Sequence, residues 1–342
     1  MTKVLMTGGG APGAPGIIRC LKQDTSIDLF VCDANTNATG KYLNEKFFTV
    51  PKATDDNFID VVFDNCIKSG IKIVMPLVTR ELFAFAREKK KFEDAGIKVL
   101  VSNEQPLNLA NDKSKLYEYL RINKIEVPNF RIVNNIGQFE KAAQDLGYPQ
   151  KQFCFKPSVS NGSRGFRIVD DNIDEFDLLF NYKPNSTYIS YAKIISLLSK
   201  RSFPQLLLSE VLPGDEYSVD CILEHGISKL IIPRLRSKMI NGISVEGEFV
   251  EHKEIIAYTK NIIETIGLHG NIGVQVKQAA NNRFLILEIN PRVQGTIVSA
   301  LGAGVNLPLL AVKQELGQQI LPEEMQVKWG TRFSRYWQEV YY

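Results

Sequence analysis

The first 110 residues alternate short apolar runs, rich in β-prone side chains, with stretches of helical spacing. The apolar runs cover residues 3–7, 27–32, 46–50, 71–76 and 97–101, and the clearest helical stretches cover residues 57–68 and 79–90. This alternation, with its short connections, predicts a parallel, doubly wound sheet with helices on both faces. We therefore expect an α/β domain that ends near residue 110.

Ligands of doubly wound sheets bind beyond the carboxyl ends of the strands. Asp33, Thr79, Arg80 and Glu81 follow such ends, so a small substrate could contact them. Two of these residues also suit simpler roles, because Thr79 fits an N-cap and Glu81 favours the first turn of a helix. We expect the simpler roles for Thr79 and Glu81.

The first loop carries the pattern Gly-x-Gly-x-x-Gly from Gly8 to Gly13, between a strand and a helix. Asp33 lies twenty residues after Gly13, where a ribose-binding acid would stand in a dinucleotide-binding fold. The pattern by itself predicts a nicotinamide-dependent enzyme. Pro12 and Pro15 weaken that interpretation, because proline removes N–H groups that would hold a pyrophosphate. Glycine-rich first loops also occur in α/β domains that bind no dinucleotide.

Two lysines stand where packing and helix electrostatics do not favour a positive charge. Asp112 suits an N-cap, which places Lys113 in a first helical turn, where a cation gains nothing from the helix dipole. Lys156 interrupts the apolar strand at residues 153–157, and the small-residue loop 158–165 follows it. The N–H groups of such a loop can fold over phosphate oxygens, and the loop can close as a lid. We expect phosphate contacts here; a solvated lysine and a ligand-free hairpin are the alternatives.

The segment 284–292 combines an apolar strand with three functional side chains. Glu288, Asn290 and Arg292 are two residues apart, so they share a face of any strand that passes through them. Such groups are costly in an apolar strand unless a divalent cation binds the oxygens and an anion binds the guanidinium. Gln275 lies on the preceding predicted strand, where a hairpin would set it opposite Glu288. The alternative is a strand end whose polar side chains point into water.

Composition excludes several other classes of protein. Lys and Arg total 41 against 38 for Asp and Glu, and a net charge of +3 does not predict nucleic-acid or membrane-surface binding. The five cysteines form no C-x-x-C pair, so we expect reduced thiols in a cytoplasmic protein. The N-terminus shows no signal-peptide pattern, and no apolar run reaches the ~18 residues of a membrane-spanning helix.

Three motifs, in this order, resemble those of the ATP-grasp superfamily, most closely its carbamoyl-phosphate-synthetase-like carboxylate–amine ligases with a single module. They are Phe155-Lys156-Pro157-Ser158 with its loop, the segment EVLPGDEY at residues 210–217, and Gln275 followed by Glu288-Ile289-Asn290-Pro291-Arg292. The resemblance implies an α/β and α+β fold. A Rossmann-like pre-ATP-grasp domain would cover residues 1–111, an ATP-grasp lid subdomain residues 112–190, and a C-terminal subdomain with the metal site residues 191–342.

The resemblance also implies roles for individual residues. Lys113 and Lys156 correspond to cations on the ATP phosphates, and Glu216 corresponds to the acid on the ribose. The remaining ATP contacts and the ligands of Mg²⁺ or Mn²⁺ would be Ser163, Gly165, Glu210, Val211 and Leu212 for ATP, and Gln275, Glu288 and Asn290 for the metal. Arg292 resembles the arginine that steadies the transferred phosphate or the oxyanion, so Arg292 and Lys156 are the expected catalytic residues.

These assignments imply an ATP-dependent ligase that activates a small carboxylate as an acyl phosphate for attack by an amine. The chain departs from carbamoyl phosphate synthetase in having one synthetase half and lysines where those enzymes use arginine. Arg234 and Arg236 have no secure counterpart there, and we interpret them, with Arg292, as anchors for an acidic substrate. An NAD-dependent oxidoreductase and a non-catalytic ATP-binding protein remain alternatives. Related proteins are often dimers, which makes a homodimer one candidate, and the sequence leaves the oligomeric state open.

Overall fold

The computed structural model describes residues 1–160, 162, 164–181, 187–240 and 242–342. The chain divides into two compact units. The first unit contains Met1–Ala110, Glu216–Val276 and Leu287–Tyr342, and the second contains Asn111–Asp215 and Lys277–Ile286. Within the described ranges, no helix has both the length and the apolar character needed to cross a membrane.

Strands and helices alternate as far as β5, and strands follow one another directly in several later parts of the chain. The strands are β1 (Thr2–Met6), β2 (Ile27–Asp33), β3 (Phe47–Thr49), β4 (Ile73–Met75), β5 (Lys98–Val99), β6 (Phe130–Val133), β7 (Phe153–Pro157), β8 (Arg167–Val169), β9 (Tyr188–Ile189), β10 (Leu206–Glu210), β11 (Glu216–Glu224), β12 (Ile227–Ile240), β13 (Ile243–Phe249), β14 (Gly270–Gln278), β15 (Phe284–Asn290) and β16 (Arg332–Ser334). The helices are α1 (Ala14–Leu21), α2 (Thr39–Leu43), α3 (Phe58–Ser69), α4 (Thr79–Asp94), α5 (Glu104–Asn111), α6 (Lys113–Ile122), α7 (Ile136–Asp145), α8 (Glu175–Asn181), α9 (Tyr191–Leu198), α10 (Lys253–Ile266) and α11 (Leu307–Glu315), with 3₁₀ turns at Ile297–Leu301 and Pro322–Met325.

The first unit opens with a five-stranded sheet in the order β3-β2-β1-β4-β5. Every pairing in this sheet is parallel, as the β–α alternation predicted. Strand order reverses between β1 and β4, so the loops after these two strands flank the crevice where such sheets bind ligands. The loop after β1 is the glycine-rich loop, and α4 begins after β4 at Thr79.

A second sheet lies mainly in the first unit and has the order β15-β14-β11-β12-β13-β16. Strands β11 and β12 pair antiparallel, with Ser218 opposite Arg234, so alternate residues of both strands share one face. A hydrophobic core within the unit includes Ile222 and Ile232 of this sheet together with Ile17 of α1 and Leu310 of α11. Rigid strands supported by this core therefore carry the polar residues described below.

The second unit contains a five-stranded sheet in the order β6-β10-β7-β8-β9. One face packs on α7 and α9, where Phe153 and Phe155 of β7 contact Phe139 and other buried residues. Because side chains alternate along a strand, Lys156 lies on the opposite face from these aromatic rings. Lys156 therefore does not interrupt the hydrophobic core.

The three-part division predicted from the sequence stays a prediction. Strand β10 pairs with β6 and β7, although the sequence interpretation grouped residues from 191 onward with the C-terminal part. Asp112 caps α6, as predicted, by accepting hydrogen bonds from the N–H groups of Ser114 and Lys115. The α/β and α+β class expected from the sequence is confirmed.

Candidate functional site

Strand β15 ends at the residues that the sequence singled out. The strand runs to Asn290, Pro291 follows, and the N–H of Arg292 donates to the carbonyl of Asn290 at 2.8 Å. Nδ2 of Asn290 lies 3.5 Å from Oε1 of Glu288, so the two side chains share one face. Arg292 lies in the loop beyond the strand rather than on it. The first unit thus groups Glu288, Asn290 and Arg292 within one short segment.

Arg292 is largely surrounded by protein and held by two hydrogen bonds. Nε donates to Oγ1 of Thr79 at 2.9 Å, and Nη1 donates to the carbonyl of Val293 at 3.0 Å. Burial lowers the pKa of the Arg292 guanidinium, while the negative charge of Glu288 acts in the opposite direction. The expectation that Thr79 is a helix N-cap is wrong, because Val78 occupies that position and Thr79 instead orients Arg292.

The predicted metal ligands offer oxygen atoms of the kind that Mg²⁺ prefers. Gln275 and Glu288 lie on β14 and β15, which are hydrogen-bonded neighbours, and both side chains are half-buried. Among the described residues, no group of three or more His, Cys, Asp or Glu side chains forms a metal cluster. One carboxylate with two amides fits a cation that is held largely by nucleotide phosphates, which is how Mg²⁺ is usually bound.

Arg234 is fully buried in the first unit. Its Nε lies 3.2 Å from Oδ2 of Asp220, which is also fully buried, and its Nη2 donates to Oγ1 of Thr296 at 2.9 Å. Oδ1 of Asp220 accepts a hydrogen bond of 2.6 Å from Nε2 of Gln294. The side chain of Arg234 exposes no surface to solvent, which does not favour direct contact with a substrate. The role of Arg234 as a substrate anchor stays a prediction.

Arg236 and Glu216, which were predicted to contact substrate and ribose respectively, form an ion pair with each other. Nε of Arg236 also donates to Oγ of Ser244 at 3.0 Å. The period-two alternation that places Glu216 and Asp220 on one face of β11 explains why each pairs with one arginine of β12. A ligand that binds Glu216 or Arg236 must therefore replace or join this pair.

In the second unit, Lys113 is buried beneath the small-residue loop. Its Nζ donates to the carbonyl of Ser160 at 2.9 Å, and its backbone N–H donates to the carbonyl of Ser158 at 2.9 Å. These bonds place the ammonium group directly against the loop that was predicted to cover phosphates. The alternative of a solvated lysine is thereby corrected, since Lys113 is only 5% exposed.

Lys156 and the far end of the loop lie in the same unit. Nζ of Lys156 lies 5.7 Å from the centroid of the Tyr117 ring. Gly165 has a φ of +78°, and a Cβ atom there would lie 2.7 Å from Cδ of Pro157, so only glycine closes the loop in this way. Ser163, which was predicted to contact ATP, lies outside the described residues.

The segment predicted to hold adenine follows β10. Glu210 contacts Asn129 twice: its Oε1 accepts from the Asn129 N–H at 2.7 Å, and its own N–H donates to the Asn129 carbonyl at 3.0 Å. Val211 is half-buried and Leu212 is buried. The carboxylate of Glu210 therefore fixes the start of this segment, and the contact of all three residues with adenine stays a prediction.

Packing within the first unit explains the glycine-rich first loop. A Cβ atom on Gly13 would lie 2.2 Å from Cα of Gly295, so the two backbones approach too closely for any side chain. Asp33, the candidate ribose acid, accepts a hydrogen bond of 2.7 Å from the N–H of Gly10. The glycines and Asp33 thus have structural roles that require no dinucleotide.

Glu81 lies in the first turn of α4, as expected from the sequence. It is buried, accepts a hydrogen bond from Oγ1 of Thr7, and has its pKa raised from 4.5 to about 7 by burial. Three polar residues around Arg234 were given no role in the sequence analysis. Asp220, Gln294 and Thr296 form the network with Arg234. Period-two alternation places Asp220 on one face of β11 with Glu216, but it does not show which strand lies beside that face.

Comparison with known families is consistent with this geometry. A family model described as "ATP-grasp in the biosynthetic pathway with Ter operon" matches residues 202–336, and one described as "PylC-like, N-terminal domain" matches residues 4–100. The carbamoyl phosphate synthase large chain of Pseudothermotoga lettingae is 22% identical over 303 residues, which cover 87% of this chain and 26% of that protein. The Archaeoglobus fulgidus large chain is also 22% identical, over 84% of this chain and 26% of its own length. This chain spans about a quarter of the length of these relatives.

Solved structures share the fold at low sequence identity. N5-carboxyaminoimidazole synthetase from Staphylococcus aureus superposes with a TM-score of 0.68 at 15% identity, covering 96% of this chain and 80% of that one. A biotin carboxylase complex from Campylobacter jejuni gives a TM-score of 0.68 at 16% identity, covering 97% and 73%. The matched family models, the carbamoyl phosphate synthase relatives and this common fold agree with the motifs around Lys156 and Glu288, and in all of these respects the chain is similar to the ATP-grasp superfamily.

Proposed function

We propose that this chain is an ATP- and Mg²⁺-dependent ligase that joins a small carboxylate to an amine. The observation that carries the proposal is the segment from Glu288 to Arg292, where two oxygen-bearing side chains and a buried guanidinium lie side by side at a strand end. Relatives named as carbamoyl phosphate synthases support the reaction class. The identity of the carboxylate and of the amine is not part of the proposal.

The reaction we propose has two steps. A carboxylate oxygen of the substrate attacks the γ-phosphorus of ATP, the bond between γ-phosphorus and the bridging oxygen breaks, and ADP leaves with the electron pair. The amine nitrogen then attacks the acyl carbon, and phosphate leaves as the C–N bond forms and the nitrogen loses a proton. Bound Mg²⁺ would supply positive charge at the phosphate oxygens.

Residues of the first unit would act at the reacting groups. Glu288, Asn290 and Gln275 would hold the metal through their side-chain oxygens. Arg292 would bind the substrate carboxylate and later stabilise the oxyanion, because a fixed cation in a water-poor site is an effective electrostatic catalyst. The bond from Nε to Thr79 leaves Nη2 of Arg292 for such contacts and fixes the plane of the guanidinium. Arg236 remains a proposed anchor for an acidic substrate, whereas the anchor role of Arg234 stays a prediction that the full burial of its side chain does not support.

Residues of the second unit would bind the nucleotide. Lys113 and Lys156 would contact phosphate oxygens as compact charges, without the bidentate geometry of arginine. The loop between Pro157 and Phe166, including Ser163 and Gly165, would cover the phosphates and exclude water that would hydrolyse an acyl phosphate. Glu210, Val211 and Leu212 would hold adenine, and Glu216 of the first unit would bind the ribose. Mn²⁺ could replace Mg²⁺ in the same oxygen ligands.

An ADP-release screen with paired carboxylates and amines tests the proposal. We expect release that depends on Mg²⁺ and on both acceptors, and Glu288→Gln should reduce kcat by orders of magnitude while the protein remains folded. Glu224→Gln is a matched control, because Glu224 is a half-buried carboxylate of β11 that forms an ion pair of 2.8 Å with Lys229. Near-normal release by Glu288→Gln would refute the metal assignment. ATP binding without ADP release for any acceptor pair would instead identify a non-catalytic ATP-binding protein.

The proposal extends to location and assembly. All five cysteines are buried and free, which supports a reducing, cytoplasmic environment. A homodimer, one candidate from related proteins, would be detected by sedimentation of the purified chain. The net charge of +3 gives no support for a nucleic-acid partner.

A further inference from the structure

The loop that carries Arg292 is bonded to a buried ion pair on β11 and β12. Asp220 and Arg234 are both fully buried and lie 3.2 Å apart at Oδ2 and Nε. Each also bonds to the loop: Asp220 accepts from Gln294 at 2.6 Å, and Arg234 donates to Thr296 at 2.9 Å. The pair therefore holds the two residues on either side of Gly295.

Close packing fixes the same loop from other directions. The backbone of Gly295 lies against Gly13, and a Cβ atom on Gly273 would lie 2.3 Å from Cδ of Gln294. Because the loop is packed on both sides, we expect a change in the bonds to Gln294 and Thr296 to move neighbouring backbone atoms. Arg292 lies two residues before Gln294, and the position of the loop determines whether its bond to Thr79 can form.

Stability alone does not explain why these charges are buried. Removing two charges from water is expensive, and a buried ion pair is often no more stabilising than apolar residues of the same size. Nη1 of Arg234 has no hydrogen-bond partner within the described ranges, which adds to that cost. The bonds that the pair makes to Gln294 and Thr296 point instead to the loop conformation that it specifies.

We propose that Asp220 and Arg234 are positioning residues that set the loop from Pro291 to Thr296 and thereby aim Arg292 at the reacting carboxyl group. This inference rests on the proposed ligase function for its catalytic consequence, but the positioning of the loop is independent of that function. The positioning role differs from the anchor role predicted for Arg234. Its side chain has no exposed surface, so it would act through Thr296 rather than on the substrate, as Asp220 would act through Gln294.

The test replaces both charges at once, because removing one would leave the other buried and unpaired. In Asp220→Leu/Arg234→Met we expect a cooperative unfolding transition close to that of the original protein. Amide hydrogen exchange in peptides covering residues 291–298 should accelerate roughly tenfold or more, since the loop loses two bonds. The kcat for ADP release should fall roughly ten- to a hundredfold while KM for ATP stays within about twofold, because misplacing a catalytic group mainly affects the chemical step.

A control and a milder variant complete the experiment. Glu246→Gln breaks an exposed ion pair with Lys238, of 3.1 Å, on the neighbouring strand pair β12 and β13, and should change neither exchange nor kcat. Thr296→Val removes only the bond from Arg234 and should shift exchange and kcat in the same direction by a smaller factor. If the double variant fails to fold, Thr296→Val still tests the inference.

Two results would overturn it. Unchanged exchange in residues 291–298 in both variants would show that the pair does not position the loop. Unchanged exchange together with a raised KM for the carboxylate would show that Arg234 contacts the substrate directly. If the original protein releases no ADP with any acceptors, the proposed function fails, yet the exchange measurement still decides whether the loop is positioned.

Discussion

At the scale of single residues, the chain combines an arginine and a carboxyl group in unusual surroundings. Arg292 has its pKa lowered by burial, and Glu81 has its pKa raised to about 7 by burial. Both belong to the first unit and lie near the carboxyl ends of strands β4 and β15. Perturbed groups of this kind often mark functional sites, although structural burial produces them as well. The raised pKa of Glu81 makes the free energy of unfolding depend on pH, whatever its role in catalysis.

We expect Glu81 to make the folded protein less stable as pH rises from about 4.5 to about 7. In this range the folded state holds a proton on Glu81 that the unfolded state has released, so unfolding is favoured by rising pH. The shift from 4.5 to about 7 corresponds to about 3 kcal/mol at neutral pH and above. Glu81→Gln should therefore be more stable than the original at pH 8 and similar to it at pH 4.5.

Urea unfolding at several pH values measures this difference. Glu88→Gln is the control, because Glu88 is exposed on the same helix and should leave the pH dependence unchanged. If Glu81→Gln follows the pH profile of the original protein, Glu81 does not remain protonated in the folded state.

At the scale of elements, local sequence patterns predicted many strands and helices but few of the pairings between distant strands. The β–α alternation predicted the parallel sheet, and Asp112 predicted the start of α6. These features depend on side chains close in sequence. Strand β16 was not predicted, because three residues are too few to show alternation and it exists only through pairing with β13.

The same limit applies to the candidate site. The residues Glu288, Asn290 and Arg292 could be recognised because they are neighbours in one strand and its following loop. Thr79, 213 positions away from Arg292, could not be assigned to it from the sequence, and it was expected to cap α4 instead. The Gly-x-Gly-x-x-Gly pattern could not distinguish two explanations, since close backbone approach and pyrophosphate binding both require glycine.

Replacing Gly13 by alanine distinguishes these two explanations. The new Cβ atom would lie 2.2 Å from Cα of Gly295, so the loop after β15 must shift. We expect a loss of about 1–3 kcal/mol in the free energy of unfolding, as for other overpacked sites, together with reduced ADP release. Gly137→Ala is the matched control, because its Cβ would lie 3.7 Å from the nearest atom, Oδ1 of Asn135, and alanine favours a helix. Equal stability of the two variants would contradict the close contact.

At the scale of the whole molecule, the chain consists of two units that each carry part of the predicted machinery. The first unit holds the proposed metal ligands and arginines, and the second holds Lys113, Lys156 and the loop between them. The resemblance to family motifs predicted candidate residues in both units. Such a resemblance can be recognised even when the motifs are far apart in the sequence. Their individual roles remain predictions.

Binding of nucleotide should stabilise the whole chain. Free Mg²⁺-ATP at about 100 times its Kd should raise the free energy of unfolding by about 2.7 kcal/mol, because it binds only the folded protein. Lys156→Met should greatly reduce this gain, and Lys200→Met, an exposed lysine of the second unit, should preserve it. Thermal unfolding with and without ligand provides the measurement. A gain with NADH but none with Mg²⁺-ATP would favour the oxidoreductase alternative over the ligase.

The hydrogen bond from Lys113 to the carbonyl of Ser160 bears on the nucleotide exchange that we propose. The buried ammonium group donates to this carbonyl oxygen, so it has already lost most of its water. In the proposed binding mode, a phosphate oxygen would compete with the carbonyl for the ammonium hydrogens, rather than with a full hydration shell. The departing product would meet the same competitor, and the backbone of the loop would thereby hasten the release of ADP.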